Sequence, residues 1–131
     1  MPQQHARIQH EAEPKEGYIS KLIAQGEHQQ LDFKFGVNDS RKIARTLAAF
    51  ANTDGGRLLI GVKDNGSIAG VRSEEEFYML QAASEMFTRP AVPFEVKEWT
   101  INQKRVLEVI VPAIKGVLHS APVEKDNYLI Y

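Results

Sequence analysis

The spacing of apolar side chains switches repeatedly between the helical and the strand period, and each switch marks an element. Tyr18, Ile19, Leu22 and Ile23 recur at helical spacing beyond Pro14 and Gly26 stops the run, which predicts a short helix. Leu31, Phe33 and Phe35 then alternate with Asp32 and Lys34, the pattern of a half-buried strand. Its pleat sets Asp32 and Lys34 on one face, roughly 7 Å apart. Asn38, Asp39 and Ser40 offer an N-cap for a second helix. There Ile43, Leu47 and Phe50 stack, with Ala44, Ala48 and Ala51 alongside, while Arg41, Lys42 and Arg45 lie off the stripe. Asn52 and Thr53 close this helix, and Gly55-Gly56 supplies residues able to take positive φ. Leu58, Leu59, Ile60 and Val62 read as a strand covered on both sides. Asn65-Gly66 signals a two-residue hairpin turn, with Ser67 to Val71 returning.

Ser73 with Glu76 forms a capping-box pattern opening a third helix, whose inward residues are Phe77, Leu80, Ala83 and Phe87. Met79 and Met86 are expected as core filler, and Thr88-Arg89-Pro90 ends the helix. Phe94 to Ile101 and Arg105 to Val111 read as a strand hairpin around Asn102-Gln103. The second strand is apolar on both faces and is therefore central or covered by a helix, and Trp99 is expected as a core or sheet-face residue. Lys115 to Pro122, with His119, is expected as a loop, and Asn127 to Tyr131 as a terminal strand with an exposed edge. Residues 1–14 show no apolar period and are expected as a flexible arm, leaving 15–131 as one domain. This order of elements predicts an α+β fold, with a single mixed β-sheet and helices mainly on one face.

Composition narrows the function classes. The chain has no cysteine, which excludes disulfides and thiolate chemistry. No apolar run is long enough to span a bilayer. The N-terminus lacks the basic and apolar regions of a signal peptide, so a cytoplasmic location is expected. Net charge is −1, yet residues 33–72 hold seven Lys/Arg against three Asp/Glu, while both flanks are net acidic. Charge alone describes a solvated helix face as readily as a polyanion site. There is no G-x-x-x-x-G-K-S/T loop, no G-x-G-x-x-G and no H-E-x-x-H, so triphosphate, dinucleotide and zinc-protease chemistry lack their motifs. His5 and His10 are not at the spacing of helical metal ligands. The alternation also places most aromatics inside, so no base-stacking platform is expected.

The run Ala49-Phe50-Ala51-Asn52-Thr53-Asp54-Gly55-Gly56, followed by Leu59 to Gly66 and Ile68-Ala69-Gly70, resembles the signature of the Schlafen AlbA-type domain. Leu31-Asp32-Phe33-Lys34 matches that family's upstream acidic-aromatic-lysine element, with Asp32 where glutamate is usual. The resemblance implies an Alba-like core and a nucleic-acid-binding module, for DNA or RNA, with a regulatory role. Lys34, Arg41, Lys42, Arg45, Arg57 and Lys63 are the expected phosphate contacts, and no cofactor is needed for binding. It also implies an alternative, a metal-dependent ribonuclease in which Glu27, Asp32 and Asp64 would hold Mg²⁺ or Mn²⁺. A third reading is an interaction domain, since such domains commonly pair as homodimers. The family usually continues further, so the chain is expected to be a short member or part of a longer protein.

Overall fold

The computed structural model describes residues 8–11, 17–124 and 127–131. The elements are β1 (Ile8–Glu11), α1 (Tyr18–Gln25), β2 (Leu31–Lys34), α2 (Ser40–Asn52), β3 (Gly56–Ile60), α3 (Ser73–Phe87), β4 (Glu95–Ile101), β5 (Lys104–Val111), β6 (Ser120–Glu124) and β7 (Asn127–Ile130). Five strands form one mixed sheet in the order β1-β4-β5-β3-β2, and β6 with β7 makes a separate antiparallel ribbon. The fold is α+β, as the order of elements predicts. Part of the segment expected as a flexible arm is β1, which lies parallel to β4 with Ile8 opposite Val96. A strand pairing through its backbone needs no apolar period, which is why the pattern is silent there. The rest of that arm lies outside the described residues.

The central strand is β5, antiparallel to both β3 and β4. One face of the sheet packs against α2 and α3 through Leu58, Ile60, Val96, Leu107, Val109 and Val111. The opposite face carries Leu31, Phe33, Leu59, Trp99 and Val106, and α1 lies on it through Ile19. Alanines 44, 48 and 51 are fully buried, so α2 sits close to the strands. The paired glycines make that approach possible. Gly55 takes φ +79°, and a Cβ there would lie 2.8 Å from the Val111 carbonyl; a Cβ on Gly56 would lie 2.5 Å from the Phe50 ring.

Several local expectations give way to tertiary structure. Beyond Asn65-Gly66 the chain makes only an isolated bridge, Val62 to Ile68, because β5 already occupies the edge of β3 that a returning strand would need. Phe35 is 66% exposed: both Gly61 N–H and Val62 N–H close onto the Lys34 carbonyl, ending the ladder before Phe35. Arg72, not Ser73, occupies the N-cap of α3, and Glu74, Glu75 and Glu76 lie in its first turn. Met86 is exposed, whereas Met79 packs on the core. Part of the expected loop before Pro122 is the start of β6, whose partner lies only a few residues ahead.

Glu108 is the buried charge that the apolar run of β5 conceals. It is fully buried and accepts from Tyr18 Oη at 2.5 Å, Arg57 Nε at 3.0 Å and Trp99 Nε1 at 2.9 Å. One carboxylate thus joins α1, β3, β4 and β5. Burial, and then the hydrogen bond to Glu108, pushes the Tyr18 hydroxyl pKa up. Glu108→Ala should lower unfolding free energy by roughly 3 kcal/mol, near the lower end for a broken buried pair because Arg57 keeps one side in water. Urea unfolding measures this, and a loss under about 0.5 kcal/mol, the scale of a surface change, would contradict the network.

Candidate nucleic-acid interface

The basic residues of the sequence do not form one surface; three of them share a groove. Asp39 caps α2 by accepting from Arg41 N–H at 2.9 Å, which fixes where the helix begins and which residues flank β2. Between the open edge of β2 and the side of α2 runs a groove of about 670 Å³, lined by Lys34, Lys42 and Arg45 together with His28, Asp32 and Tyr131. Lys34 Nζ stands 3.4 Å from Asp32 Oδ2. Lys42 is exposed and makes no ion pair among the described residues. Arg45 Nη1 donates to the carbonyls of Pro122 and Val123, each at 3.1 Å, which fixes the guanidinium without cancelling its charge.

The other three cations lie elsewhere. Arg57 was expected among the phosphate contacts, but it projects on the α1 side of the sheet and is committed to Glu108. The reason is register: Arg57 pairs with Leu31 and shares that residue's face, one position out of step with Asp32 and Lys34. Arg41 turns towards α3, with its guanidinium 4.9 Å from the Phe87 ring centroid. Lys63 stands 5.9 Å from the centroid of the exposed Phe35 ring, beyond the end of β2.

Of the three acids expected to hold a metal, two meet. Glu27 Oε2 accepts from Phe33 N–H at 2.9 Å, and its carboxyl is hydrogen-bonded to that of Asp32. The hydrogen bond to Asp32, then that from Phe33, holds Glu27 below the usual carboxylate range. Burial, followed by the bond to Glu27, pushes Asp32 up to about 6, with Lys34 opposing the rise. Asp64 sits exposed in the turn that Gly66 N–H closes onto the Lys63 carbonyl and does not join them. Among the described residues no three His, Asp or Glu side chains surround a common point. The expected Mg²⁺ or Mn²⁺ set of Glu27, Asp32 and Asp64 is therefore not assembled among the described residues, and the two carboxyls that do meet lie beside Lys34 instead.

The residue that builds the groove's far wall is Asn52, which the sequence pattern marks only as a helix end. Its Nδ2 donates to the carbonyls of His119 at 2.9 Å and Tyr131 at 2.7 Å, and its Oδ1 accepts from His119 N–H at 2.8 Å. This amide ties the β6–β7 ribbon to the end of α2 and places Tyr131 on the groove. The signal available was its position inside the Ala49–Gly56 run. A family model described as Schlafen, AlbA_2 matches residues 27–128, which include every groove-lining residue named above except Tyr131. The chain belongs to the Schlafen AlbA_2 family. Its fold is similar to the solution structure of the N-terminal domain of a Nitrosomonas europaea protein described as ATP-dependent DNA helicase RecG-related. That likeness has 22% identity and a TM-score of 0.56, over 83% of this chain and 82% of that one.

The Glu27–Asp32 pair has a signed consequence in this Schlafen AlbA_2 domain. Asp32 has its pKa raised on folding, so its stabilising contribution is complete below about pH 4 and is lost as pH rises through about 6. Glu27 acts oppositely: its contribution is present above its ordinary value and lost as pH falls through the lowered one. The stability of Asp32→Asn relative to the unchanged protein should therefore improve between pH 4 and 7, as read by urea unfolding at each pH. Carbon NMR of the Asp32 carboxyl should show a midpoint near 6. A midpoint near 4 would mean that the two carboxyls are apart.

Proposed function

We propose that this domain binds nucleic acid through its sugar–phosphate backbone, with Lys34, Lys42 and Arg45 meeting phosphates along the groove between β2 and α2. The observation that carries this reading is the convergence of those three cations in one groove. Lys42 supplies a charge that the described residues leave uncompensated, and Arg45 is pre-oriented by the ribbon, so little side-chain freedom is lost on contact. Contacts of this kind fix position on a strand and carry no sequence information. The family membership supports the reading, and so does the likeness to the N-terminal domain of a protein described as DNA-helicase-related. Binding of DNA or RNA in a regulatory role needs no cofactor in this scheme. Self-association as a homodimer would use the exposed Val123, Leu129 and Ile130 of the ribbon.

Three phosphate contacts give a salt slope near −2.7 on B-DNA, a loss of roughly 40-fold between about 50 and 200 mM salt. Lys42→Ala should weaken binding to any sequence alike and shift the slope to about −1.8. Arg57→Ala should leave the slope unchanged while lowering stability. Anisotropy titrations with labelled duplex and single strands measure both. No retention of DNA or RNA at about 50 mM salt would reject the proposal and favour an interaction domain whose basic residues are only solvated surface.

A further inference from the structure

A second groove of about 990 Å³ opens beyond the end of β2, where the ladder stops and Phe35 stands in solvent. Its two walls differ in charge. The first turn of α3 contributes Glu74, Glu75 and Glu76, while the start of β5, just past the β4–β5 turn, contributes Lys104 and Arg105. Glu75 is engaged by Arg72, at 3.8 Å. Glu76 is different: its Oε1 is shut off from the surface and has no hydrogen-bond partner among the described residues. Its other oxygen, Oε2, lies 3.4 Å from where a Cβ on Gly36 would stand, so this oxygen, and not Oε1, is the one that faces the bare backbone beside Phe35. Lys104 Nζ is steadied by the Ile68 carbonyl at 3.3 Å.

Each feature asks for a different part of one ligand. An exposed aromatic ring with a lysine nearby offers a stacking surface for a base, beside a cation for its phosphate. Through Oε2 the Glu76 carboxylate offers an acceptor at the groove, and a carboxylate accepts well from an exocyclic amino group. The basic wall asks for an anion, which the acidic wall repels. A nucleotide with an amino-bearing base satisfies all three when its base edge faces α3 and its phosphates face the β4–β5 turn. A duplex cannot present a base this way because its bases are already stacked and paired.

We propose that this groove takes an unstacked, amino-bearing base (cytosine or adenine) of a single strand, with Phe35 stacking on it, Glu76 accepting from its amino group, and Lys104 and Arg105 meeting the flanking phosphates. The proposal rests on the backbone-binding reading above and extends it from phosphates to bases. Lys34 lines the first groove and Phe35, next in the chain, lines the second, so one strand can run from one to the other. Uracil fits less well, because its single N–H is flanked by two carbonyl oxygens that face the carboxylate.

The test is anisotropy with labelled oligocytidine, oligouridine and a duplex of mixed sequence, on the unchanged protein, Phe35→Ala, Phe35→Trp, Glu76→Gln and Lys42→Ala. Phe35 is exposed, so its replacement leaves the core untouched. Phe35→Ala should weaken oligocytidine binding by roughly 5- to 100-fold, the range for one stacked base. It should leave the duplex unchanged, and Phe35→Trp should restore the single strand. Glu76→Gln should bring oligocytidine and oligouridine to equal affinity. If Phe35→Ala binds oligocytidine as well as the unchanged protein does, the base site is overturned while a Lys42→Ala loss on both probes keeps the backbone reading. If no probe binds, both fail. If cytidine monophosphate competes as tightly as the strand binds, the groove is a nucleotide site and the single-strand assignment is wrong.

Discussion

The Glu108 carboxylate is the constraint on which the arrangement of charge depends. A fully buried carboxylate at the middle of the central strand is tolerable only if its oxygens are occupied, and donors from three other elements occupy them. Tyr18 brings α1 onto the sheet, and its ring lies 5.0 Å from that of Trp99, so the helix is held by stacking as well as by the hydroxyl. Arg57 is drawn to the same point and removed from the opposite face. What remains beside α2 is a smaller cation set than the sequence suggests, but a convergent one. The position of α1 also fixes where Gly26 releases the chain, and with it the place of Glu27 over Asp32.

A second constraint works from the other end of α2. The helix can lie against the strands because its inner face is largely alanine and because Gly55 and Gly56 have no side chain where Val111 and Phe50 come close. The Asn52 amide then converts the helix end into an anchor for the ribbon, using its donor and acceptor together. The ribbon in turn supplies the carbonyls that orient Arg45. The motif running from Ala49 to Gly56 is thus architectural: it contributes no charge to the groove but decides that a groove exists. This separates the residues that identify the family from those that would touch a polyanion.

The fold was legible where periodicity is enforced by burial on one side. Leu31 and Phe33 alternate with Asp32 and Lys34 because one face meets α1, and the alanine stripe of α2 declares its own contact. Phe35 continued the alternation in sequence but not in structure, since the neighbouring chain curls away at Gly61 and removes the surface that would have covered it. Glu108 was invisible because a single acid in an apolar run carries no period of its own. The site was legible in Lys34, Lys42 and Arg45, whose spacing follows from one strand and one helix. It was not legible in Arg57 or Asp64, whose destinations depend on register and on a turn rather than on any local pattern.

In the proposed reading, the two grooves would divide the chemistry of a strand between them for a reason set by charge. Along β2 and α2 the three cations Lys34, Lys42 and Arg45 outnumber the one acid in the lining, Asp32, so an anion is favoured there. Beyond Lys34 the first turn of α3 places the three side chains of Glu74, Glu75 and Glu76 on one wall. Phosphates can approach there only along the opposite wall. A strand leaving the first groove on the proposed path would have to rotate its phosphates away from α3, and that rotation would turn its bases towards it. The same acids that lower the net charge of the domain, and argue against polyanion binding when merely counted, would in this reading be the element that orients the strand.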